Sequence, residues 1–271
     1  MTTRFLQRPQ GQIAYEVFDG PSADCPIAIC TPGMGDIRQE YRFLVPLLQK
    51  SCTVVTMDLR GHGESSATFD EVTSDSVAQD MVALIDELQP SSSVVLIGDS
   101  AASASAVYAA TERPEKVKVI VLCGPFCRDH PMNVFLKGFI KLMLTNTFLG
   151  VPFWGSFYKS LYPSPPADLN EYLVKLKANL KEPGRLVSLG KFLFATKKPC
   201  TDRMKDVKCK VLVVMGTKDP DFANPQDEAE WIVNNLPEAS KKEIFMVQGA
   251  GHYPHAEFPE AVNTRIVEML E

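Results

Sequence analysis

The chain has no long apolar run, no dense basic tract, no Cys-x-x-Cys pair and only four histidines among 271 residues. Each shortage closes off a class of function. The most apolar stretch, from about Val134 to Tyr162, is broken by Lys137, Lys141 and Lys159 and by Gly150, Pro152 and Gly155, so no membrane span is expected. A net charge of -5 without clustered lysine and arginine argues against nucleic acid, whose phosphates attract such clusters. The seven cysteines are scattered, and Cys123 with Cys127 lacks the second ligand pair that a zinc site needs. In or beside apolar strands they read as reduced, small hydrophobes. No histidine pair recurs beside a carboxylate at ligand spacing, so no metal site is expected. The first residues, MTTRFLQRPQGQ, lack the apolar run of a secretory signal and the last carry no obvious address, which points to a reducing, cytoplasmic setting.

What is present is an alternation. Ile13 to Phe18 alternates apolar and polar residues, as in an outer antiparallel strand. Short continuous apolar runs follow at Pro26–Cys30, Thr53–Met57, Val94–Ile97, Val117–Leu122 and Val211–Met215, as in strands buried on both faces, and Glu243–Val247 is a further strand-like run. Helical patterns lie between and after them, at about Arg38–Gln49, Asp75–Leu88, Ala101–Glu112, Gln226–Asn235 and Pro259–Leu270. Such alternation predicts an α/β fold: a doubly wound, mostly parallel sheet of about eight strands with helices on both faces. The rhythm stops between Pro125 and about Lys205, where four amphipathic patterns fall near 132–146, 152–161, 167–181 and 185–196. The expectation is a core of residues 1–124 and 206–271 with a helical cap, 125–205, inserted over the carboxyl ends of the strands. About half of the aromatics lie in this insertion, and Phe135, Phe139, Trp154 and Tyr158, with Phe126 at its start, are the candidates for lining a substrate pocket.

Chemistry centres on Val94-Val95-Leu96-Ile97-Gly98-Asp99-Ser100-Ala101-Ala102-Ser103. A buried strand that turns sharply into a helix brings the two backbones almost into contact, so residues two before and two after the tip must be small. Gly98 and Ala102 meet that requirement for Ser100. A tip at Asp99 would place Ile97 in the crowded position, so Ser100 is the nucleophile candidate. A serine hydroxyl needs a base, and the base an orienting acid. His252 follows the last strand through Gln248-Gly249-Ala250-Gly251, and Asp219 ends the run that begins at Val211. Asp219 lies nearer its strand end than Asp221 and is preferred. His62 reads as a structural loop histidine, and His130 and His255 as pocket-edge or surface groups.

Four segments together resemble the α/β-hydrolase superfamily in its capped, esterase-like branch: Thr31-Pro32-Gly33-Met34-Gly35, Asp58-Leu59-Arg60-Gly61-His62-Gly63-Glu64-Ser65, Gly98-Asp99-Ser100-Ala101-Ala102 and Gly249-Ala250-Gly251-His252. The resemblance covers nearly the whole chain. It implies an oxyanion hole made by the backbone N–H groups of Ala101 and Met34. It departs from the pattern in three places: Pro32 stands where histidine is common, Ala102 where glycine is common, and Asp99 beside the nucleophile has no assigned role. The activity implied is cofactor-free hydrolysis of an ester-like bond in a small or medium, partly hydrophobic molecule. Carbon–carbon hydrolases and perhydrolases share the same three residues, and a slow-turnover small-molecule receptor shares the fold. Substrate identity and oligomeric state lie beyond these signatures.

Overall fold

The structure, a computed structural model, describes residues 2–238 and 240–271. Its centre is one eight-stranded sheet: β1 (Arg4–Arg8), β2 (Gly11–Phe18), β3 (Ile27–Thr31), β4 (Thr53–Met57), β5 (Val94–Asp99), β6 (Val117–Cys123), β7 (Lys210–Gly216) and β8 (Lys242–Val247), in the order β1-β2-β4-β3-β5-β6-β7-β8. Strand β2 runs antiparallel to both neighbours, and all pairs from β4 onward are parallel. The β-branched runs of β5, β6 and β7 are buried because helices cover both faces of the sheet. One edge strand escapes the sequence pattern. Arg4–Arg8 is charged at both ends and buries only Leu6 fully, too little to show a period of two.

The core helices are α1 (Val45–Leu48), α2 (Ser74–Leu88) and α3 (Ala102–Glu112) before the insertion. The insertion carries α4 (Val134–Leu144), α5 (Thr147–Ser160), α6 (Leu169–Leu180), α7 (Arg185–Phe194) and α8 (Lys198–Thr201), all between β6 and β7. Then come α9 (Pro225–Asn234), α10 (Pro254–Glu257) and α11 (Pro259–Leu270). Helix α2 starts at a capping box in which Thr73 and Ser76 bond each other's backbone reciprocally.

The stretch expected as one helix from Arg38 to Gln49 is instead a 3-10 turn, Arg38–Arg42, followed by the single turn α1. Two side chains drawn into the interior hold that turn. The Arg38 guanidinium pairs with buried Asp58, whose Oδ1 also accepts the Arg38 backbone N–H at 2.7 Å. Glu40 turns inward to accept the Gly33 N–H at 3.1 Å. Asp58 further accepts the Glu64 N–H at 2.9 Å, and Gly63, at φ +55°, lies so close that a Cβ would be 2.0 Å from the Asp58 carboxyl carbon. The Asp58–Ser65 signature therefore braces the sheet edge. His62 belongs to that brace: it is buried, Nδ1 lies 3.0 Å from the Arg60 carbonyl, and desolvation pulls its pKa down to about 4. All seven cysteines are buried and unpaired.

The insertion packs its own apolar cluster around Trp154, Tyr158, Leu176 and Leu189. Arg42 anchors it to the core through a bidentate pair with Asp168, both bonds 2.7 Å. No single helix among the described residues is long and apolar enough to cross a membrane; α4 and α5 pass that test only together and are bent by 120° at their junction.

Candidate active site

Ser100 sits where β5 ends and α3 begins, with φ at +52°. A non-glycine residue in the left-handed region is held there by its surroundings rather than by preference. Here the Ser100 N–H donates to the Cys123 carbonyl at 2.8 Å, and its own carbonyl accepts from Phe126 and Ser103, both at 3.1 Å. The required smallness is visible two residues earlier, since a Cβ on Gly98 would lie 2.6 Å from the Ala102 carbonyl oxygen. The turn thus points the Ser100 side chain into a cavity of about 420 Å³ whose wall also holds Met34, Phe126, Trp154, Asp221 and His252.

His252 comes from the loop after β8, fixed by its N–H to the Leu161 carbonyl at 3.0 Å. Its Nδ1 lies 2.8 Å from Asp219 Oδ2 and 3.7 Å from Asp221 Oδ2. Burial disfavours the imidazolium, but Asp219 and then Asp221 outweigh it and raise the pKa to about 9. Asp219 itself is buried, and its Oδ1 accepts the Asp221 N–H at 3.0 Å. Neither the Ala101 nor the Met34 backbone N–H bonds an acceptor among the described turn and loop backbones. Both residues flank Ser100, Met34 across the β3 loop and Ala101 next in sequence. The β3 loop is pinned by the insertion: Trp154 Nε1 donates to the Gly35 carbonyl at 3.2 Å, and Gly35, at φ +72°, leaves no room for a Cβ beneath the indole.

The candidate aromatics divide. Phe126 and Trp154 line the cavity. Phe135 and Phe139 do not: Phe135 is 84% exposed and Phe139 half-exposed, on the outward face of α4, while Leu136 and Ile140 of the same helix face the cavity. Tyr158 is fully buried behind the wall, where it donates to Asp36 at 2.6 Å. Sequence periodicity identifies an amphipathic helix but not which neighbour covers it, and that decided these three positions.

His130 does stand at the cavity edge, but His255 is not at the rim. It is fully buried, with Nε2 2.7 Å from Glu40 Oε1 and Nδ1 3.8 Å from Asp99 Oδ1. Burial lowers its pKa to about 3 and raises that of Glu40 to about 7. Asp99, next to Ser100, points down into this cluster. Neither of its oxygens has a hydrogen-bond partner, and burial together with the Glu40 and Asp36 charges holds its carboxyl well above the usual range. Asp36 belongs to the same layer and accepts Tyr172 Oη–H at 2.5 Å besides Tyr158. These buried acids carry no sequence signature, since each is separated by a dozen or more residues from most of its partners. Among the described residues, two groups bring three donors close enough to share a cation, Glu40–Asp99–His255 and Asp219–Asp221–His252. In both, the histidine nitrogen is already engaged by a carboxylate.

The sequence profile of the family described as serine aminopeptidase, S33, matches residues 26–258, which include Met34, Ser100, Asp219 and His252. The chain belongs to that family. It is therefore a hydrolase of the α/β-hydrolase superfamily, as its four signatures lead one to expect. The chain is 24% identical to the proline iminopeptidase PfmaB of Pestalotiopsis fici over 298 residues, covering 98% of this chain and 99% of that protein. Among solved structures it is similar to a thermophilic esterase from Thermogutta terrifontis, with a TM-score of 0.81, 21% identity and coverage of 100% and 98% of the two chains. It is also similar to the carboxylesterase CesB of Bacillus subtilis, with a TM-score of 0.78, 19% identity and coverage of 99% and 91%. At those identities the structural likeness speaks for the fold.

Proposed function

We propose that the protein is a carboxylic ester hydrolase acting through Ser100, His252 and Asp219, with the α4–α7 insertion as the cap over its pocket. The observation that carries this reading is the buried 2.8 Å contact between His252 Nδ1 and Asp219, in the same cavity wall as a serine held at the apex of a left-handed turn. With Nδ1–H committed to Asp219, Nε2 is the free base of His252. It takes the Ser100 proton as Oγ bonds the carbonyl carbon. The resulting oxyanion is held by the Ala101 and Met34 N–H groups, which bond no acceptor among the described turn and loop backbones. His252 then protonates the leaving alcohol as the carbon–oxygen bond breaks. A water molecule, deprotonated by the same nitrogen, releases the acyl group and restores Ser100.

The family description admits aminopeptidases, and the lining favours esters. An aminopeptidase must hold a free α-ammonium, which calls for carboxylates facing the substrate. The described wall offers Asp221 alone, and that acid is turned to His252, while Lys197 and His130 share the wall with Leu136, Ile140, Phe153 and Phe157. Short p-nitrophenyl esters should be cleaved in preference to aminoacyl anilides. A fluorophosphonate should label the wild type and leave Ser100→Ala unlabelled. Ser100→Ala should lower kcat on the order of a million-fold. Labelling that persists in Ser100→Ala, or faster cleavage of the anilides, would overturn the reading.

A further inference from the structure

Helices α4 and α5 carry most of the exposed large apolar side chains among the described residues. Phe135 is 84% and Phe148 86% exposed, and Val134, Leu136, Leu142 and Leu149 stand out beside them. Monomeric proteins rarely leave such a contiguous patch uncovered. Its charge is one-sided. From Pro131 to Ala167 there is no Asp or Glu, while Lys137, Lys141 and Lys159 lie within the two helices, against a chain of net charge -5. Lys137 and Lys141 both hold their ammonium groups over the ring of Phe194, about 5 Å away, at the border of the patch. The patch is also continuous with the cavity, because Leu136, 51% exposed, and Phe157, 37% exposed, belong to the cavity wall and to the outer surface at once.

We propose that this face docks on anionic lipid bilayers, and that the cavity receives its substrates from there. Charge selects the occupant. Two copies of the chain meeting symmetrically through this face would bring lysine against lysine with no acid to answer them. A bilayer bearing anionic headgroups complements both features, taking the phenylalanines below the headgroup level and the ammonium groups at it. Neither helix is long and apolar enough to cross alone and the pair is bent by 120°, so the docking proposed is on the surface. The docking is independent of the esterase reading. The route for substrate rests on it, and makes the substrates esters dissolved in lipid.

Co-sedimentation of the full chain with phosphatidylcholine vesicles, with and without phosphatidylglycerol, tests this. Binding to the anionic vesicles is expected, with none or far less to the neutral ones. Phe135→Ser with Phe148→Ser should weaken it by on the order of tenfold or more per side chain. Lys137→Gln with Lys141→Gln should weaken it by roughly fivefold per lysine, and less at high salt. None of these four side chains lines the cavity, so cleavage of a soluble short ester should be unchanged while cleavage of an ester dissolved in the vesicles falls. Ser100→Ala should bind vesicles as the wild type does, which keeps a failure of docking distinct from a failure of the catalytic assignment. Absence of vesicle binding would overturn the proposal, as would equal binding to neutral vesicles or binding that survives loss of both phenylalanines. So would a dimer in light scattering that Phe135→Ser with Phe148→Ser dissociates, since a second copy would then own the face.

Discussion

Ser100 shows how a few side chains set a reactive geometry. Its φ of +52° is imposed from three sides, by the Cys123 carbonyl, the Phe126 N–H and the absence of a Cβ at Gly98. Gly98→Val would put carbon within contact of the Ala102 carbonyl and cannot be relieved by a rotamer change. It should destabilise the fold by about 3 kcal/mol or more in chemical denaturation, with loss of fluorophosphonate labelling. Asp221 tests the electrostatics instead. Because its charge helps to hold the His252 proton, kcat/KM should rise with pH along a limb near pH 9, where His252 becomes a base. Asp221→Asn removes that help and should move the limb to lower pH. A limb that stays or moves upward would show that Asp221 does not act on His252.

At the scale of elements, the insertion is tied down by polar contacts at its root as well as by its apolar cluster. Asp36, on the β3 loop, accepts hydrogen bonds from Tyr158 of α5 and Tyr172 of α6 in a fully buried layer. Asp36→Ala removes the acceptor that both hydroxyls share, leaving Tyr158 its 2.9 Å contact with Tyr162 and Tyr172 a longer bond to the Ile37 carbonyl, and should cost about 1–3 kcal/mol. Urea titration measures the loss. Because the same loop carries Met34, kcat should fall more than KM rises. The exposed outer face of α4 and α5 contributes nothing to this attachment. Polar substitutions there should leave the denaturation midpoint unchanged while those at the root lower it.

For the whole molecule, buried titrating groups set how stability varies with pH. The acids Glu40 and Glu257 have pKa values raised by burial to about 7, so the native state keeps protons that the unfolded chain has lost. Their contribution is full in acid and disappears as pH rises from about 4.5 to about 7. His62 and His255, lowered to about 4 and about 3, act oppositely over much of that range and favour the native state as pH rises toward 6.5. The two pairs largely offset each other. His252, raised to about 9, stabilises fully below 6.5 and ceases to as pH climbs through 9. The share of thermal stability that depends on His252 should therefore decline between pH 7 and 9, by on the order of 3 kcal/mol at most. In His252→Gln that alkaline decline should flatten. A decline of the same size in the variant would place its origin elsewhere.

How much of this was legible in the sequence varies by element. The β-branched runs of β3 to β7 declare themselves because strands buried on both faces must be apolar throughout. Strand β1 does not, since an edge strand with one buried side chain leaves no period to read. Ser100, Asp219 and His252 could be picked out because chemistry at strand ends leaves local marks, a small-residue turn and glycine-rich loops. The acid layer of Asp36, Glu40, Asp99 and His255 left none. Its members come from β5, the β3 loop, the following 3-10 turn and α10, and only folding makes them neighbours. The sequence by itself determined an α/β-hydrolase with a helical insertion and a short set of candidate catalytic side chains, because periodicity and turn sterics are local. Tertiary structure alone decided which face of α4 lines the cavity, which meets solvent, and that Asp99 looks away from the cavity into a layer of buried charge. Those outcomes depend on what each side chain packs against, and a neighbour distant in sequence cannot be read from spacing.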